Sequence, residues 1–329
     1  MAGATGETPL AVRTAILREL QEDGRASYSR IAADLGVTRR LVTQVVQQAV
    51  ESNELRLTVS ISPDLLGLER FAYLQVAVEG AVEPVRQALV SLPESSFVAD
   101  VAGAFPIDVE IRVGADPHLS EVLATIHDIP GVRSVRTHLY ESIEVNRYSP
   151  LRTGHTDFKV DGQDRAVIAH LQRDGRASYR ELGEAAGLSA GGARLRFERL
   201  KRAGVVKVVA MPVRDHQRET PSIGMGIRTR LATVQVLELL RDLEPEFLAA
   251  TIGSYNFVAT FSRESAAELI AVTDALRAEP SITAVESWAN LRVLKEQYGE
   301  GDRLIVASRE AAGGDERRDT PGGLGGSLR

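Results

Sequence analysis

The sequence predicts an α+β chain in which two three-helix units alternate with two βαββαβ units. Three observations carry that prediction. Part of the chain repeats: Leu20-Gln-Glu-Asp-Gly-Arg-Ala-Ser-Tyr28 returns as Leu171-Gln-Arg-Asp-Gly-Arg-Ala-Ser-Tyr179, at an offset of 151. Each copy opens on apolar residues at helical spacing, punctuated by capping residues and glycines. Each copy then changes to alternating strands with helices between them.

The repeat runs well beyond the matching nonapeptide. The same offset carries Gly36 onto Gly187 and Thr38 onto Ser189; further on it becomes 150, and Phe97, Ala99, Gly103, Pro130 and Val135 match Phe247, Ala249, Gly253, Pro280 and Val285. A change of one residue is a single indel in a loop. So long a period excludes a solenoid and makes each copy a folded unit or a pair of units. The expected divisions are 9–55 and 163–207 for the helical units and 56–147 and 208–297 for the βαββαβ units. A linker at 148–162 joins the copies, and a Gly-, Arg- and Asp-rich tail at 298–329 is expected to be disordered.

In the first copy Ile16, Leu17 and Leu20 mark a helix that stops at Asp23-Gly24. Ser27 can cap a second helix with Ile31, Ala32 and Leu35 inward and Gly36 at its end, and Thr38 a third with Val42, Val46 and Ala49 inward. In the second copy Ser178 and Glu181 form a capping box, Gly187 ends the helix, and Ser189 starts one whose buried stripe is Ala193, Phe197 and Leu200. Two short helices joined by a Gly turn, the second begun by Thr or Ser, describe a helix-turn-helix. Strands Leu55–Ile61 and Val205–Pro212 follow as a wing.

The solvent face of each third helix is the part that can enter a major groove. In the first copy it holds Arg39, Arg40, Gln44 and Gln47, with Thr38 at its start and Thr43 on a flank. Arg pairs bidentately with guanine and Gln with adenine. The second copy offers Ser189, Arg194, Leu195, Arg199 and Arg202; Arg25, Ser27, Arg176 and Ser178, at the preceding turns, complete the expected DNA-contact set. Leu195 is unusual on a solvated face: contact with a thymine methyl explains it, and so does a misplaced helix phase.

The whole chain carries a formal net charge of -6, yet the helical units are locally basic. Residues 164–207 hold ten basic and five acidic groups; residues 13–56 hold seven and six. The second unit is therefore expected to supply most of the phosphate attraction and the first to contribute base reading.

Each copy closes with strand, helix, two strands, helix and strand. In the first copy these are Phe71–Glu79, Pro84–Leu92, Phe97–Ala102, Ile107–Val113, Pro117–His127 and Val132–Val145. In the second they are Ile223–Thr229, Thr233–Leu243, Phe247–Ile252, Phe257–Phe261, Ser265–Ala278 and Ile282–Leu294. That order gives a four-stranded antiparallel sheet with both helices on one face, the ferredoxin-like split βαβ. The fold class is thus two winged helix-turn-helix domains alternating with two ferredoxin-like domains. The bare sheet faces need cover, and a chain with two copies can pair its own halves.

A winged helix-turn-helix carrying Asp-Gly-Arg-Ala-Ser and Gly-Leu-Ser, followed by βαββαβ, resembles the Lrp/AsnC (feast/famine) transcriptional regulators over about residues 10–296. The likeness is strongest from Asp164 to Met211, where Leu188-Ser189 and Arg196-Phe197-Glu198-Arg199-Leu200 fall on the family's recognition helix. It implies operator binding, assembly through sensor domains within the chain or between chains, and an amino-acid effector. The family's effector region centres on a Gly-x-x-Asp/Asn turn, matched by Gly253-Ser254-Tyr255-Asn256; Gly103-Ala-Phe-Pro106 keeps the Gly but has Pro106 in place of the carboxylate or amide.

Two other readings compete. Siroheme decarboxylases share this architecture, but carry family-specific His and Arg clusters. Here His118, His127, His138, His155, His170 and His216 show no metal or acid–base spacing and read as surface residues; Glu141 and Glu144 read as solvent-face strand residues. The third reading is a sensor or assembly protein whose first helix-turn-helix has drifted from DNA, as its low charge and lack of an acidic start like Asp161-Gly-Gln-Asp164 suggest. No enzyme activity, cofactor or metal is expected. Absence of cysteine, of a signal-like start and of a membrane-length apolar run fits a cytoplasmic protein.

Overall fold

The computed structural model describes residues 10–150, 158–212, 221–230 and 234–298. The expected linker falls partly, and the expected tail almost wholly, outside the described residues, as do Thr233, His155 and His216. The first copy comprises α1 (Leu10–Glu22), α2 (Tyr28–Asp34), α3 (Arg39–Glu51), β1 (Leu55–Ile61), β2 (Arg70–Val78), α4 (Val82–Ser91), β3 (Ser95–Val101), β4 (Ile107–Val113), α5 (Asp116–His127) and β5 (Val132–Asn146). The second comprises α6 (Gly162–Arg173), α7 (Tyr179–Ala186), α8 (Ala190–Arg202), β6 (Val206–Pro212), β7 (Ser222–Thr229), α9 (Val234–Asp242), β8 (Phe247–Ile252), β9 (Phe257–Ser262), α10 (Ala266–Ala278) and β10 (Ile282–Glu296). A 3-10 turn at Pro63–Leu66 links β1 to β2.

Local chemistry sets the helix starts. The Thr38 hydroxyl accepts from the Leu41 N–H at 3.2 Å, and Ser189 does the same for Gly192 at 3.1 Å. Ser178–Glu181 and Asp161–Asp164 form capping boxes on α7 and α6. Ser27 occupies the N-cap position of α2 without a side-chain hydrogen bond. Beneath the helices, Ile16, Leu20, Ile31, Val42, Val46 and Ala49 fill one core and Val167, Leu171, Leu182, Ala193, Phe197 and Leu200 the other.

The wing strands are exchanged between the copies. β1 pairs antiparallel with β6, and the equivalent residues Thr58 and Val209 stand opposite each other, which marks a two-fold relation between the heads. α1 packs on β6 and α6 on β1. Both Asp-Gly turns dock against this ribbon: Gly24 N–H donates to Val208 O at 3.0 Å and Gly175 N–H to Leu57 O at 2.9 Å. A Cβ at Gly24 would lie 2.9 Å from the Val208 carbonyl carbon, and one at Gly175 2.8 Å from the Thr58 nitrogen. Close backbone approach is what these glycines supply.

Each βαββαβ unit forms its expected sheet, in the orders β3-β4-β2-β5 and β8-β9-β7-β10. The two sheets then join edge to edge, β5 with β8 and β10 with β3, closing an eight-stranded antiparallel barrel. The long strands β5 and β10 make this possible, because each pairs inside its own unit over one half and with the other copy over the rest. α4 and α5 cover one outer face through Val85, Leu89, Leu119 and Ile126; α9 and α10 cover the other through Val236, Leu240, Leu269 and Leu276. Tyr73, Tyr255, Val258 and Trp288 meet inside. Closure removes the free sheet edges and encloses the bare faces. No described helix is long and apolar enough to cross a membrane.

Candidate DNA interface and sensor barrel

On α3, Val42, Val45, Val46 and Ala49 turn inward and leave Arg39, Arg40, Gln44 and Gln47 exposed, with Thr43 half-buried. Among the described residues, Arg39 and Arg40 enter no ion pair, and the Thr43 hydroxyl donates to Arg39 O at 3.0 Å. This face has free guanidinium and amide groups at one helical surface, the chemistry that reads base edges and phosphates.

α8 is different. Leu195 is 71% exposed, so the expected helix phase holds. Arg194 is exposed, and Arg202 Nε donates to Glu198 O at 3.2 Å. Arg199, expected as a phosphate ligand, is instead paired with Asp164 and lies over the Phe158 ring at 4.8 Å. Arg196 donates to Asp161 at 2.7 Å and to Asp164 at 2.9 Å. Asp164 is fully buried, and these two guanidiniums compensate its charge. Part of the positive charge counted in the second unit is thus spent inside it, tying α8 to the start of α6.

Arg25 and Arg176 leave the DNA-contact set altogether. Arg25 Nη2 donates to Ala177 O at 2.7 Å, and its guanidinium lies over Tyr179 at 5.2 Å and Phe197 at 4.9 Å. Arg176 Nη1 donates to Gly24 O at 2.8 Å and to Ala26 O at 3.2 Å, with its guanidinium 4.3 Å over Tyr28. Burial lowers the Arg25 pKa. The repeated Gly-Arg-Ala-Ser-Tyr segment is therefore a reciprocal clamp between the heads, reinforced by Lys201 with Asp23 at 3.5 Å. Ser27, Ser178 and Ser189 are exposed at the helix starts beside it.

In the barrel, Gly253 has φ +155°, and a Cβ there would meet His138 Nδ1 at 2.8 Å and Thr137 O at 3.0 Å. The close approach that this glycine permits is by the protein's own chain on β5, while the residue itself stays exposed at the rim. Ser254 is exposed, but Tyr255 is buried and accepts a hydrogen bond from Arg136 Nη1 at 2.7 Å. The Asn256 side-chain oxygen accepts from Thr229 N–H at 2.8 Å. Gly103, with φ +137°, is exposed with nothing near its missing side chain.

His138 also departs from expectation. It is fully buried, stacks on Tyr255 with ring centroids 4.6 Å apart, and burial together with Arg136 pushes its pKa down to about 4. Glu141 is exposed as expected, while Glu144 is paired with Arg241. Asp108 is 2% exposed and receives the Tyr73 hydroxyl; burial raises its pKa to about 7. Beside it, Glu110 accepts from Ser96 at 2.7 Å, Arg112 at 2.6 Å and Tyr140 at 3.2 Å. Among the described residues, no three acidic or histidine side chains gather to hold a metal ion.

A model of the AsnC-type helix-turn-helix domain matches residues 14–46 and 160–201. An uncharacterized HTH-type transcriptional regulator of Pyrococcus abyssi is 33% identical over 133 residues, spanning 40% of this chain and 84% of the relative. The chain belongs to the Lrp/AsnC family of helix-turn-helix transcriptional regulators. The HTH-type transcriptional regulator FL11 of Pyrococcus horikoshii is 29% identical over 124 residues, 37% of this chain and 82% of that one. Over 92% of its length the chain is similar in fold to the siroheme decarboxylase NirDL, of which the match covers 99%: the TM-score is 0.56 at 15% identity.

Within this Lrp/AsnC chain the sequence reading missed the barrel interior. Asp108, Glu110 and Arg112 alternate with Ile107, Val109 and Ile111 on β4, a pattern that reads as one solvated and one buried face; closure buries both. Gly224-Met-Gly226 on β7 was the available signal. A Cβ at Gly224 would overlap the Trp288 ring and one at Gly226 the Tyr255 ring, so the bare strand face seats both aromatics.

Proposed function

We propose that this Lrp/AsnC regulator reads a two-part, non-palindromic operator with α3 and α8 of a single chain. The observation that carries the reading is the pairing of unlike recognition faces by a reciprocal clamp. At equivalent positions α3 presents Thr43, Gln44 and Gln47 where α8 presents Arg194, Leu195 and Glu198. In a symmetric dimer, operator palindromy mirrors identical heads; unlike heads call for unlike half-sites. Gln44 and Gln47 suit adenine, Arg39 and Arg40 suit guanine or phosphate, and Leu195 suits a thymine methyl. The free face of α3 argues against a first head that has drifted from DNA. The proposed contact set is accordingly Thr38, Arg39, Arg40, Thr43, Gln44 and Gln47 with Ser189, Arg194, Leu195 and Arg202.

An amino acid or related metabolite acting on the sensor barrel completes the proposal, with the exposed rims at Gly103 and at Gly253–Ser254 as its points of contact. The test is fluorescence anisotropy with the DNA upstream of the chain's own gene, over a salt series, with and without pooled amino acids. Salt-steep binding that amino acids shift is expected. Binding unmoved by amino acids would remove the effector part, and absence of specific binding at low salt would remove the regulator reading at this target.

A further inference from the structure

We infer that α8 reads the 5-methyl group of pyrimidines in the major groove, so that 5-methylcytosine in its half-site counts as thymine. In the operator reading on which this rests, α8 enters that groove beside α3.

The two recognition helices present opposite surfaces. The outward row of α3 begins with Arg40 and Gln44, both exposed. The equivalent row of α8, 151 residues on, begins with Gly191 and Leu195. Leu195 is 71% exposed, and Ala190 and Gly191 are exposed beside it. The long polar side chains of α8 are engaged within the head. Arg196 pairs with Asp161 and Asp164, and Arg199 with Asp164. Glu198 Oε1 accepts from the Tyr179 hydroxyl at 3.4 Å, Arg202 Nε donates to Glu198 O at 3.2 Å, and Arg194 lies over the Tyr179 ring at 6.0 Å. The crest of α8 is left as carbon and bare backbone.

Nothing in the fold requires glycine at the start of that crest. Gly191 and Gly192 lie in the first turn of α8, and neither has a left-handed φ. Among the described residues, a Cβ at Gly191 would meet only Ser189 Oγ, at 3.9 Å. One at Gly192 would lie 3.4 Å from Ser189 Oγ and 3.7 Å from Leu188, which are ordinary contacts. Alanine would fit at both positions and favour the helix. At Gly24 and Gly175 the wing ribbon fills the space beside the missing side chain; at Gly191 that space is open, on the face turned to DNA.

An uncharged crest can discriminate base edges in one way. The donors and acceptors of the major groove find no side-chain partner on it, whereas the 5-methyl of thymine is an apolar group that it can cover. Gly191 lets the first turn come close to the base edges, and Leu195, one turn on, closes over the methyl. Cytosine methylated at C5 carries the same group at the same position. α3 reads by the other means, with guanidinium and amide groups.

The test uses duplexes that the full chain selects from a random pool, with binding read by fluorescence anisotropy at fixed salt. Replacing one thymine at a time by uracil removes a methyl and nothing else. At a thymine where this weakens binding, cytosine and 5-methylcytosine opposite guanine form a second pair that differs by the methyl alone. Uracil should bind about fourfold weaker than thymine, and cytosine about fourfold weaker than 5-methylcytosine. Leu195→Ala should erase both differences, and Gln44→Ala should keep both. Gly191→Ala should raise the thermal unfolding midpoint by a few degrees and yet weaken binding several-fold. Equal binding of thymine and uracil at every position, a methyl preference that survives Leu195→Ala, no gain from methylating cytosine, or undiminished binding by Gly191→Ala would each overturn methyl reading by α8 while leaving the operator reading in place. A pool from which no motif emerges would remove the operator reading, and methyl reading with it.

Discussion

The two copies meet at two joints, and the joints follow different rules. At the heads, equivalent residues do the same thing to each other: Arg25 reaches Ala177 and covers Tyr179, while Arg176 reaches Ala26 and covers Tyr28. In the barrel, equivalent positions carry unlike residues that fit together. Arg136 meets Glu286 at 3.2 Å and lies over Phe105, whose counterpart is Tyr255. Tyr73 and Gln75 of β2 stand where β7 has Gly224 and Gly226. Two identical chains can build the first kind of joint. The second kind requires two different partners, because a symmetric pairing would set Arg136 against Arg136. The barrel therefore makes the chain its own partner, and that frees the recognition faces to differ.

The largest way to break the comparison is to fill the bare face of β7. Gly224→Ala should destabilise the chain by about 3 kcal/mol in urea unfolding, since the buried Trp288 ring must move. A cost near zero would mean the barrel tolerates like residues at this joint. Next come the opposed titrations of the interior. Asp108, protonated in the fold up to about pH 7, stabilises fully below its unfolded pKa near ~4 and loses that contribution as pH rises towards 7. His138 does the reverse, losing its contribution as pH falls from ~6.5 to about 4. The two slopes oppose each other between those limits. Asp108→Asn should therefore make stability rise with pH across that window relative to the unaltered chain, and His138→Phe should make it fall; equal profiles for all three would contradict both assignments.

Smaller effects separate the joints. Glu286→Arg should cost about 1 kcal/mol, a modest figure because both side chains are partly solvated, and adding Arg136→Glu should restore most of it. At the heads, Arg25→Ala and Arg176→Ala should each cost about 1 kcal/mol and by similar amounts, as a reciprocal clamp demands. Clearly unequal costs in thermal unfolding would show that the clamp is reciprocal in outline only. Smallest in affinity, Gln44→Ala should relax base preference in one half of the bound site while leaving the salt dependence unchanged.

Most of the fold was legible in the sequence, because helix and strand periods are local properties. β4 and β8 match their expected limits residue for residue, and the buried stripes of α3 and α8 are those the spacing predicts. What could not be read was pairing between distant segments. The wing strands were legible as strands, but their register, with Thr58 opposite Val209, and the docking of both Asp-Gly turns on them were not. Arg25 and Arg176 looked like DNA ligands because a basic residue beside a helix start is attractive to phosphate. Only the packed heads show that each points into the other. His138 looked solvated for the same reason, since barrel closure is not written in its strand alone.

The most direct test of the account is selection of bound sequences from a random duplex pool by the full chain. Unlike recognition faces on one clamped pair of heads predict a two-part motif whose halves are not inverted copies, with Leu195→Gln altering one half and Gln44→Ala the other. A perfect palindrome, or a motif that both substitutions change in both halves, would contradict it.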